Sequence, residues 1–406
     1  MARQQERVEL TLAATDADIA KIQPLLDEYA RANNITIYTA ASPYDDLYAK
    51  LNINLTQATG AYDVVSIDDP WMPLFAGDEF LKNLGEIMEE AGIHADGDFV
   101  PQLSALGEFP AESGIRGIPW VGNVQVFAWR TDVLEEMQRE VPTTWDDVLL
   151  LATDVTEARG ASGLFGIGVR GQAGNPAAAS FLPVLRGFGL DVLDPATNEP
   201  RLVTPQAVRA FELQIQLAQF APQGVEETGH AKQGDNLASG RIAMSGDIWP
   251  DQLLQASDPA RSEIAKSIGV GPEPSQSGAR TPHVTGCWLL GIPRECKYPE
   301  AALDLILWMT AREQQKRMTL SRTIPPTRMS VMRDPEVIAA LPFMPAVLDA
   351  AIHAVARPRS PHLPAIEQIL GRYMADGILG QMTAEEVASH ANEEIRELLV
   401  REGVLE

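Results

Sequence analysis

Residues 63–71 read Asp63-Val64-Val65-Ser66-Ile67-Asp68-Asp69-Pro70-Trp71. A short apolar strand here runs into two carboxylates, a proline and a tryptophan. In an open α/β sheet, ligands bind in the crevice beyond the carboxyl ends of the strands. Carboxylates accept hydrogen bonds from hydroxyl groups and an indole face packs against C–H groups, so the pattern suits a hydroxylated ligand. The same residues also fit a plain strand end with a proline turn and solvated acids, and this stretch alone leaves both interpretations open.

Strand and helix patterns alternate around this stretch. Apolar runs predict strands over residues 8–14 and 35–39, and apolar spacing of three to four residues predicts a helix between them. Ser42-Pro43-Tyr44-Asp45 is typical of a helix start, with Ser42 as the N-cap. Strand–helix–strand–helix–strand order predicts an α/β fold with mostly parallel sheets flanked by helices.

Length and charge narrow the class of protein. A chain of 406 residues is too long for one hydrophobic core, which predicts two domains. Its 45% hydrophobic and 22% charged residues are typical of a soluble globular protein. The formal net charge of −24 argues against nucleic acid and anionic membrane surfaces as partners, because both attract basic patches.

Cysteines and apolar runs say little about the compartment. Cys287 and Cys296 flank residues 288–293, and an extended segment would hold them beyond disulfide reach, so we expect two buried free thiols. No apolar run approaches the length of a membrane span. The polar residues 1–7 do not resemble a signal peptide, as expected of a trimmed mature protein or of a cytoplasmic one.

The usual catalytic, cofactor and metal signatures are missing from the sequence, so we expect no enzyme activity, no cofactor and no metal. There is no nucleophile elbow, zinc-protease motif, P-loop or paired Cys-x-x-Cys, and the histidines lack ligand spacing. Asp68 and Asp69 could be imagined as a glycosidase dyad. Neighbouring strand residues point to opposite faces, which argues against two facing carboxyl groups.

Polar and aromatic residues instead follow predicted strands at widely separated places in the chain. A single tryptophan is more often a core residue than a ligand platform, but the concentration of tryptophans in these loops favours a binding role for the group. The candidate ligand-binding residues are Asp16, Ser42, Tyr44, Asp69, Trp71, Asn123, Gln172, Asn175, Asp247, Trp249, Gly286, Trp288 and Arg357.

The order of motifs resembles the family 1 extracellular solute-binding proteins, the carbohydrate-binding receptors of ATP-driven importers, similar in plan to maltose-binding protein. No single motif is decisive, and the resemblance rests on their order and spacing over nearly the whole chain. The matching segments are residues 62–65 with 69–71, 79–84, 117–120, 129–134, 142–147, 239–244, 285–293, 301–308 and 383–387.

The resemblance implies a two-lobed, type II periplasmic-binding-protein fold that closes on its ligand in an interlobe cleft. The implied N-terminal lobe is residues 1–122 plus 285–330, and the C-terminal lobe is residues 123–284 plus 331–406. Crossover segments forming the hinge are expected near residues 122–126 and 281–285, with a third near 330.

The resemblance also implies function. The expected ligand is a small sugar or polyol, with a sugar acid or another anionic derivative left open, and the expected partners are the membrane permease subunits of an ABC importer. A monomer in the periplasm, or lipid-anchored outside the cell, is expected. Asp16, Asp69 and Trp71 match first-lobe ligand positions. Asn123 stands where the maltose-binding relative has an acid, which implies a different ligand.

The resemblance also covers residues of the second lobe, and two candidates, Arg357 and Trp288, have two possible interpretations. Gln172, Asn175 and Trp249 match second-lobe positions of the family. Arg357 is either a surface arginine or a cleft residue that binds hydroxyl or anionic groups through its five donors. Trp288 is either a platform for the ligand or a core residue.

Two other function classes compete with a receptor. A glycosidase should show a carboxyl pair with opposed pKa requirements, whereas these strand ends mix hydrogen-bond acceptors and aromatic rings. A protein-binding module should expose a contiguous apolar patch, which the polar loops do not suggest.

Overall fold

The computed structural model describes residues 7–77, 79–94 and 97–406, and all structural statements concern these ranges. The strands are β1 (Glu9–Thr15), β2 (Thr36–Ser42), β3 (Val64–Asp68), β4 (Ile118–Val121), β5 (Val126–Arg130), β6 (Phe165–Ile167), β7 (Ile242–Ile248), β8 (Ile268–Gly271), β9 (His283–Val284), β10 (Trp288–Gly291) and β11 (Ala354–Val355).

Helices make up most of the remaining chain. They are α1 (Asp16–Asn33), α2 (Tyr44–Thr56), α3 (Met72–Gly77), α4 (Leu84–Glu90), α5 (Pro101–Ser104), α6 (Thr131–Glu136), α7 (Trp145–Arg159), α8 (Asn175–Gly187), α9 (Pro205–Ala218), α10 (His230–Ala238), α11 (Pro250–Ala256), α12 (Pro299–Thr310), α13 (Arg312–Leu320), α14 (Met329–Met332), α15 (Pro335–Ala340), α16 (Met344–Ile352), α17 (Leu363–Ile378) and α18 (Ala384–Arg401). In the described ranges, none of them is both long and apolar enough to cross a bilayer.

The first compact unit comprises residues 1–123 and 286–340. Its five-stranded sheet has the order β2-β1-β3-β10-β4. β1 pairs in parallel with β2 and β3, whereas β10 runs antiparallel between β3 and β4. β3 lies at the centre of the sheet, and every one of its residues is buried. The apolar stretch recognised in the sequence is therefore the middle strand of this unit.

Helix α1 shows how local sequence builds this unit. Thr15 ends β1 and caps the helix, because its Oγ1 accepts a hydrogen bond from the Asp18 backbone N–H at 3.1 Å. Ile19, Ile22 and Leu26 follow at helical spacing and are buried. The predicted strand–helix–strand succession is confirmed here. The second helix begins at Tyr44 with Pro43 as its N-cap, so the N-cap role predicted for Ser42 is wrong.

The second compact unit comprises residues 124–285 and 341–406. Its four-stranded sheet has the order β6-β7-β5-β8, and β9 pairs with β11 separately. A helical core of α7, α8, α9, α17 and α18 packs in this unit, with the rings of Phe181 and Phe211 stacked at 4.3 Å. β8 lies at the start of a segment rich in Gly and Pro, a composition that predicts irregular structure. The pairing of β8 with β5 overrides that local preference.

The α/β fold class with helices flanking the sheets is confirmed, but the sheets are mixed rather than mostly parallel. Parallel pairs join β1 to β2 and β3, and β6 to β7, while β10 and β5 pair antiparallel with both of their neighbours. The antiparallel strands begin at the edge where the parallel strands end. Residues at a strand start and a strand end therefore meet at one edge of each sheet.

The chain passes between the units after Asn123, Thr285 and Ala340. Residues 331–340, which the resemblance places in the C-terminal lobe, belong to the first unit instead. Helices α14 and α15 of this segment pack against α13, and Val331, Met332 and Val337 are buried. Asp334 adds ion pairs with Arg312 at 2.9 Å and with Lys316 at 3.0 Å.

Candidate functional site

Three aromatic rings surround the end of β3, and we call them the aromatic edge: Tyr44, Trp71 and Trp288. β10 pairs antiparallel with β3 and places Trp288 opposite Asp68, while Tyr44 opens α2. Ring centroids are 4.9 Å apart for Tyr44 and Trp71, 5.4 Å for the two tryptophans and 5.8 Å for Tyr44 and Trp288. The rings meet at tilted or edge-on angles, as aromatic pairs prefer. Trp71 is 1% exposed and Trp288 9%, so both rings are largely packed.

Two buried carboxylates lie beside the aromatic edge. Asp68 Oδ2 accepts a hydrogen bond from the Tyr44 hydroxyl at 2.8 Å, and Asp68 Oδ1 accepts from the Asp69 backbone N–H at 3.0 Å. The same Asp69 N–H lies 3.0 Å from the Cys287 carbonyl oxygen. Burial, followed by the charges of Asp69 and Asp68, raises the pKa of the Cys287 thiol well above its usual range. This edge is therefore acidic, and it suits a ligand that donates hydrogen bonds.

The other first-unit candidates differ in exposure. Asp16 is exposed at the start of α1, where its Oδ1 accepts from the Ala17 backbone N–H. Ser42 is buried, and its Oγ accepts from Lys50 Nζ at 2.8 Å. Asn123 and Gly286 are joined by a 3.1 Å backbone hydrogen bond beside the chain crossings. The structure thus brings Tyr44, Asp69, Trp71 and Trp288 together and leaves Asp16 in solvent.

In the second unit, Asp247 and Arg170 form what we call the central ion pair. Arg170 Nε lies 2.6 Å from Asp247 Oδ2, and Arg170 Nη2 lies 2.5 Å from Asp247 Oδ1. Gln125 Nε2 donates a further hydrogen bond to Asp247 Oδ1 at 2.8 Å. Both side chains of the pair are 3% exposed. The bidentate geometry fixes the guanidinium plane, and the Arg170 guanidinium carbon lies 5.9 Å from the Trp249 ring centroid.

Glu273 is a second buried acid near the central ion pair. It is 3% exposed, and neither carboxyl oxygen has a hydrogen-bond partner in the described part of the chain. Burial, with the charge of Asp247 as a smaller cause, raises the pKa of Glu273 well above its usual range. A Cβ added at Gly246 would lie 2.9 Å from Glu273 Oε2, so a larger residue at position 246 would clash with the Glu273 carboxyl group. Burial and the neighbouring charge both favour the neutral form of the Glu273 carboxyl group.

A third group in the second unit, which we call the Glu367 cluster, consists of Asn175, Arg357 and Glu367. Glu367 Oε2 accepts from Asn175 Nδ2 at 2.8 Å, and Glu367 Oε1 accepts from Arg357 Nη1 at 3.3 Å. The side chains of Arg357 and Glu367 are 4% and 5% exposed. Arg357 is thus a buried, paired residue, and its interpretation as a surface arginine is wrong.

The remaining second-unit candidates are Trp249 and Gln172. Trp249 is 5% exposed, and its backbone N–H donates to Gln252 Oε1 at 3.0 Å at the start of α11. Gln172 is exposed in the loop before α8, and its backbone N–H lies 3.3 Å from the Thr228 carbonyl oxygen. The structure therefore joins Trp249 to the central ion pair and leaves the Gln172 side chain at the surface.

Comparison with known proteins gives the family. Residues 13–316 match the family described as bacterial extracellular solute-binding protein. The chain belongs to this family. The resemblance seen in the sequence is therefore confirmed, and the proteins of the family are binding proteins.

A curated relative is similar in sequence, and solved structures share the fold. A protein of Sinorhizobium fredii named "Probable amino-acid ABC transporter periplasmic-binding protein" is 24% identical over 350 residues, covering 83% of this chain and 76% of the relative. The ribitol complex of an ABC transporter solute-binding protein from Agrobacterium radiobacter K84 superposes with a TM-score of 0.90 at 24% identity, covering 96% of this chain and 98% of that one. Maltose-bound T. maritima MalE3 gives 0.85 at 25% identity, covering 97% and 100%.

Sequence reasoning missed several residues of this solute-binding protein that surround the candidates. Asp68 lies in the stretch 63–71, but the sequence does not distinguish it from Asp69 as the carboxylate that accepts from the Tyr44 hydroxyl. Arg170 directly follows the short stretch Phe165-Gly166-Ile167-Gly168-Val169, whose pattern is typical of a strand, and that position is a signal that could have found it. Glu367 and Glu273 carry no such signal, because Glu367 lies 192 residues from its partner Asn175 and Glu273 lies in a Gly/Pro-rich segment.

No group of His, Cys, Asp or Glu suited to hold a metal ion occurs in ranges 7–77, 79–94 and 97–406. Cys287 and Cys296 are both free and buried, as predicted.

Proposed function

We propose that this solute-binding protein is the receptor of an ABC importer and that it captures a small, uncharged sugar or polyol. The observation that carries the proposal is the aromatic edge beside Asp68 and Asp69. Rings provide faces for the C–H groups of a sugar, and carboxylates accept from its hydroxyl groups. Ribitol and maltose in the related structures support the same ligand class.

Charge balance supports an uncharged ligand over an anionic one. The candidates of the first unit include carboxylates, which repel an anion. In the second unit, Arg170 is paired with Asp247 and Arg357 with Glu367. Leaving a buried charge without its partner costs several kcal/mol, roughly 3–5 kcal/mol in measured cases. An anionic ligand would have to compete with these internal partners.

The candidate residues bind and hold rather than catalyse in this proposal, and the aromatic edge does not supply the carboxyl pair of a glycosidase. The two acids nearest the aromatic edge are sequence neighbours, and Asp68 is occupied by the Tyr44 hydroxyl and the Asp69 backbone. The proposal also includes permease subunits as partners, a monomer, and a periplasmic or lipid-anchored location outside the cell. The family supports the permease partners and the extracellular location.

A thermal-shift screen tests the proposed function. The panel contains sugars, polyols, sugar acids and amino acids, the last because of the name of the Sinorhizobium fredii relative. A ligand that binds only the folded state raises the apparent melting temperature, so we expect shifts from uncharged sugars or polyols. Shifts confined to amino acids would overturn the proposal. Chromatography of the incubated ligand should show no product, and product formation lost on Asp69→Ala would identify an enzyme.

Small-angle scattering tests ligand-induced closure, which the family resemblance implies. Saturating ligand should reduce the radius of gyration, and an unchanged radius alongside measured binding contradicts closure.

A further inference from the structure

Arg186 uses all of its side-chain hydrogen-bond donors inside the second unit. An arginine side chain carries five N–H groups. Arg186 Nε donates to Asp191 Oδ2 at 3.2 Å, and Nη2 donates to the same oxygen and to the Ala356 carbonyl oxygen, both at 2.8 Å. Nη1 donates to the carbonyl oxygens of His283 at 3.3 Å and Val355 at 2.9 Å. The side chain is 4% exposed, so Arg186 is a buried cross-link between segments of the chain.

The carbonyl groups that Arg186 binds belong to β9 and to the segment formed by β11 and Ala356. β9 and β11 pair in parallel, and each strand has only two residues. An isolated pair of such short strands is at best marginally stable. The guanidinium bridges the two strands and attaches them to the end of α8. We call this group of residues, Arg186, His283, Val355 and Ala356, the Arg186 clamp.

The end of α8 is a favourable place for this cation. Arg186 is the second-last residue of the helix, where the backbone dipoles favour positive charge. Asp191 follows in the next loop, and its Oδ1 accepts a hydrogen bond from the Val192 backbone N–H at 2.8 Å. The Asp191 side chain is 26% exposed. Replacing Arg186 therefore leaves a carboxylate that water can still solvate, and the variant avoids the penalty of a fully buried unpaired charge.

The Arg186 clamp lies where the chain leaves the second unit. β9 ends directly before Thr285, the residue after which the chain enters the first unit. Gln125, two residues into the second unit on the other crossing, joins this strand: its N–H donates to the Val284 carbonyl oxygen at 2.8 Å, and its carbonyl oxygen accepts from His283 Nδ1 at 2.9 Å. Gln125 Nε2 also donates to the Ala179 carbonyl oxygen of α8 at 2.8 Å. Two crossing segments are thus attached to one helix.

We propose that Arg186 is a positioning residue for ligand-induced closure, which fixes β9 to α8 so that this end of the crossing moves as part of the second unit. The inference rests on the proposed function and deepens it. A crossing segment that is ordered before the ligand arrives loses little conformational freedom on closure, and such preorganisation favours binding. Without the clamp, the same residues have to be ordered at the moment of binding.

Two variants of Arg186 and two controls separate this role from general stability. Arg186→Met removes all five donors and keeps an unbranched side chain. Arg186→Lys keeps the positive charge beside Asp191 but lacks the fork of the guanidinium. Arg201→Met is the matched surface control, because Arg201 pairs with Asp194 at 3.3 Å and its side chain is 46% exposed. Ile395→Ala, in the buried core of the second unit, reports the effect of lost stability alone.

Hydrogen exchange of the ligand-free proteins, followed by mass spectrometry, tests the clamp directly. We expect Arg186→Met to accelerate exchange about tenfold in peptides that span residues 283–285 and 354–356, because these backbone groups lose their common partner. Arg186→Lys should fall between the wild type and Arg186→Met. Arg201→Met should exchange like the wild type, and Ile395→Ala should accelerate exchange around α18 instead.

Calorimetry tests the consequence for binding. The probes are ribitol, maltose and any other uncharged sugar or polyol that raises the melting temperature of the wild type. We expect Arg186→Met to bind about tenfold more weakly, which corresponds to ordering about one further residue on closure. Arg186→Lys should recover part of this loss. Arg201→Met and Ile395→Ala should keep the wild-type affinity.

The outcomes distinguish this inference from the proposed function. A folded Arg186→Met with wild-type exchange at residues 283–285 and 354–356, or with faster exchange and unchanged affinity, overturns the role of Arg186 and leaves the receptor proposal intact. An equal loss of affinity in Ile395→Ala overturns it as well. If Arg186→Met does not fold, Arg186→Lys undergoes the same two measurements with the same criteria. Failure of the wild type to bind any uncharged probe overturns the proposed function and this inference with it.

Discussion

The aromatic edge of the first unit and the central ion pair of the second unit occupy equivalent places in their sheets but are built from different chemistry. Each lies where a buried strand ends beside the start of an antiparallel neighbour, β3 with β10 and β7 with β5. In the first unit, rings pack around Asp68, and in the second, Arg170 and Gln125 hold Asp247.

The difference shows two ways to fix a polar group in a buried place. Two donors to Asp68 are neutral groups, the Tyr44 hydroxyl and the Asp69 backbone N–H. Asp247 has a guanidinium as its main partner, so the pair is neutral. The first arrangement depends on packing of large apolar area and the second on mutual compensation of charges. These dependences predict different responses to substitution.

Trp71→Ala should cause the largest loss of stability. The ring is 1% exposed and packs against Tyr44, Tyr48 and Trp288. Deleting a buried ring leaves a cavity, and we expect a loss of about 3–5 kcal/mol. Chemical denaturation followed by circular dichroism measures it. Trp71→Phe is the control and should lose much less, whereas a loss below about 1 kcal/mol for Trp71→Ala would show that the ring is not part of a packed cluster.

Asp247→Ala should cost a similar amount for a different reason. The substitution leaves the Arg170 guanidinium buried without its carboxylate, which costs about 3–5 kcal/mol. Asp132→Ala is the matched control, because its bidentate pair with Arg130 has the same chemistry at a carboxylate that is 47% exposed. The control should lose no more than about 1 kcal/mol. Equal losses of unfolding free energy in Asp247→Ala and Asp132→Ala would contradict the importance of burial.

Tyr44→Phe should have a smaller effect than either. The change removes the hydroxyl that donates to Asp68 at 2.8 Å and keeps the ring in the aromatic edge. A hydrogen bond to a charged group contributes about 1.5–3 kcal/mol, which sets the expected loss. Tyr38→Phe is the comparison, since the Tyr38 side chain is exposed and its contact with Glu9 is 3.4 Å long. The same loss in both variants would rule out a specific role for the Asp68 contact.

Glu273→Gln is expected to stabilise the protein, with a gain that depends on pH. The pKa of Glu273 is higher in the folded than in the unfolded state, because burial and the Asp247 charge disfavour ionisation. The contribution of Glu273 to stability is therefore complete below the pKa that it has in the unfolded state. That contribution is lost as pH rises through the pKa that it has in the folded state. Glutamine cannot ionise and avoids that loss.

Melting temperatures of wild type and Glu273→Gln across pH check this expectation. The two proteins should converge at pH 4 and separate as pH rises toward neutrality, with the variant more stable. A variant equally destabilised at every pH would show that Glu273 acts through its shape and not through its proton.

Sequence patterns predicted the elements correctly where local chemistry and tertiary packing agree. The run Val64 to Ile67 is apolar enough to be a central strand, and Thr15 with the spacing after it specifies a helix start. The order of such elements is enough to recognise the family, because that order reflects the topology. The positions of Asp69 and Trp71 directly after β3 follow from the same patterns, whereas Trp288 is the first residue of β10.

Tertiary structure alone decided which side chains meet. Pairing of β10 with β3 brings Trp288 to Trp71, residues more than two hundred positions apart in the chain. Glu367 lies within α17, and nothing near it in sequence marks its hydrogen bonds to Asn175 and Arg357. Local propensity is a property of neighbours along the chain, whereas charge compensation in a buried site depends on segments that only the folded topology brings together.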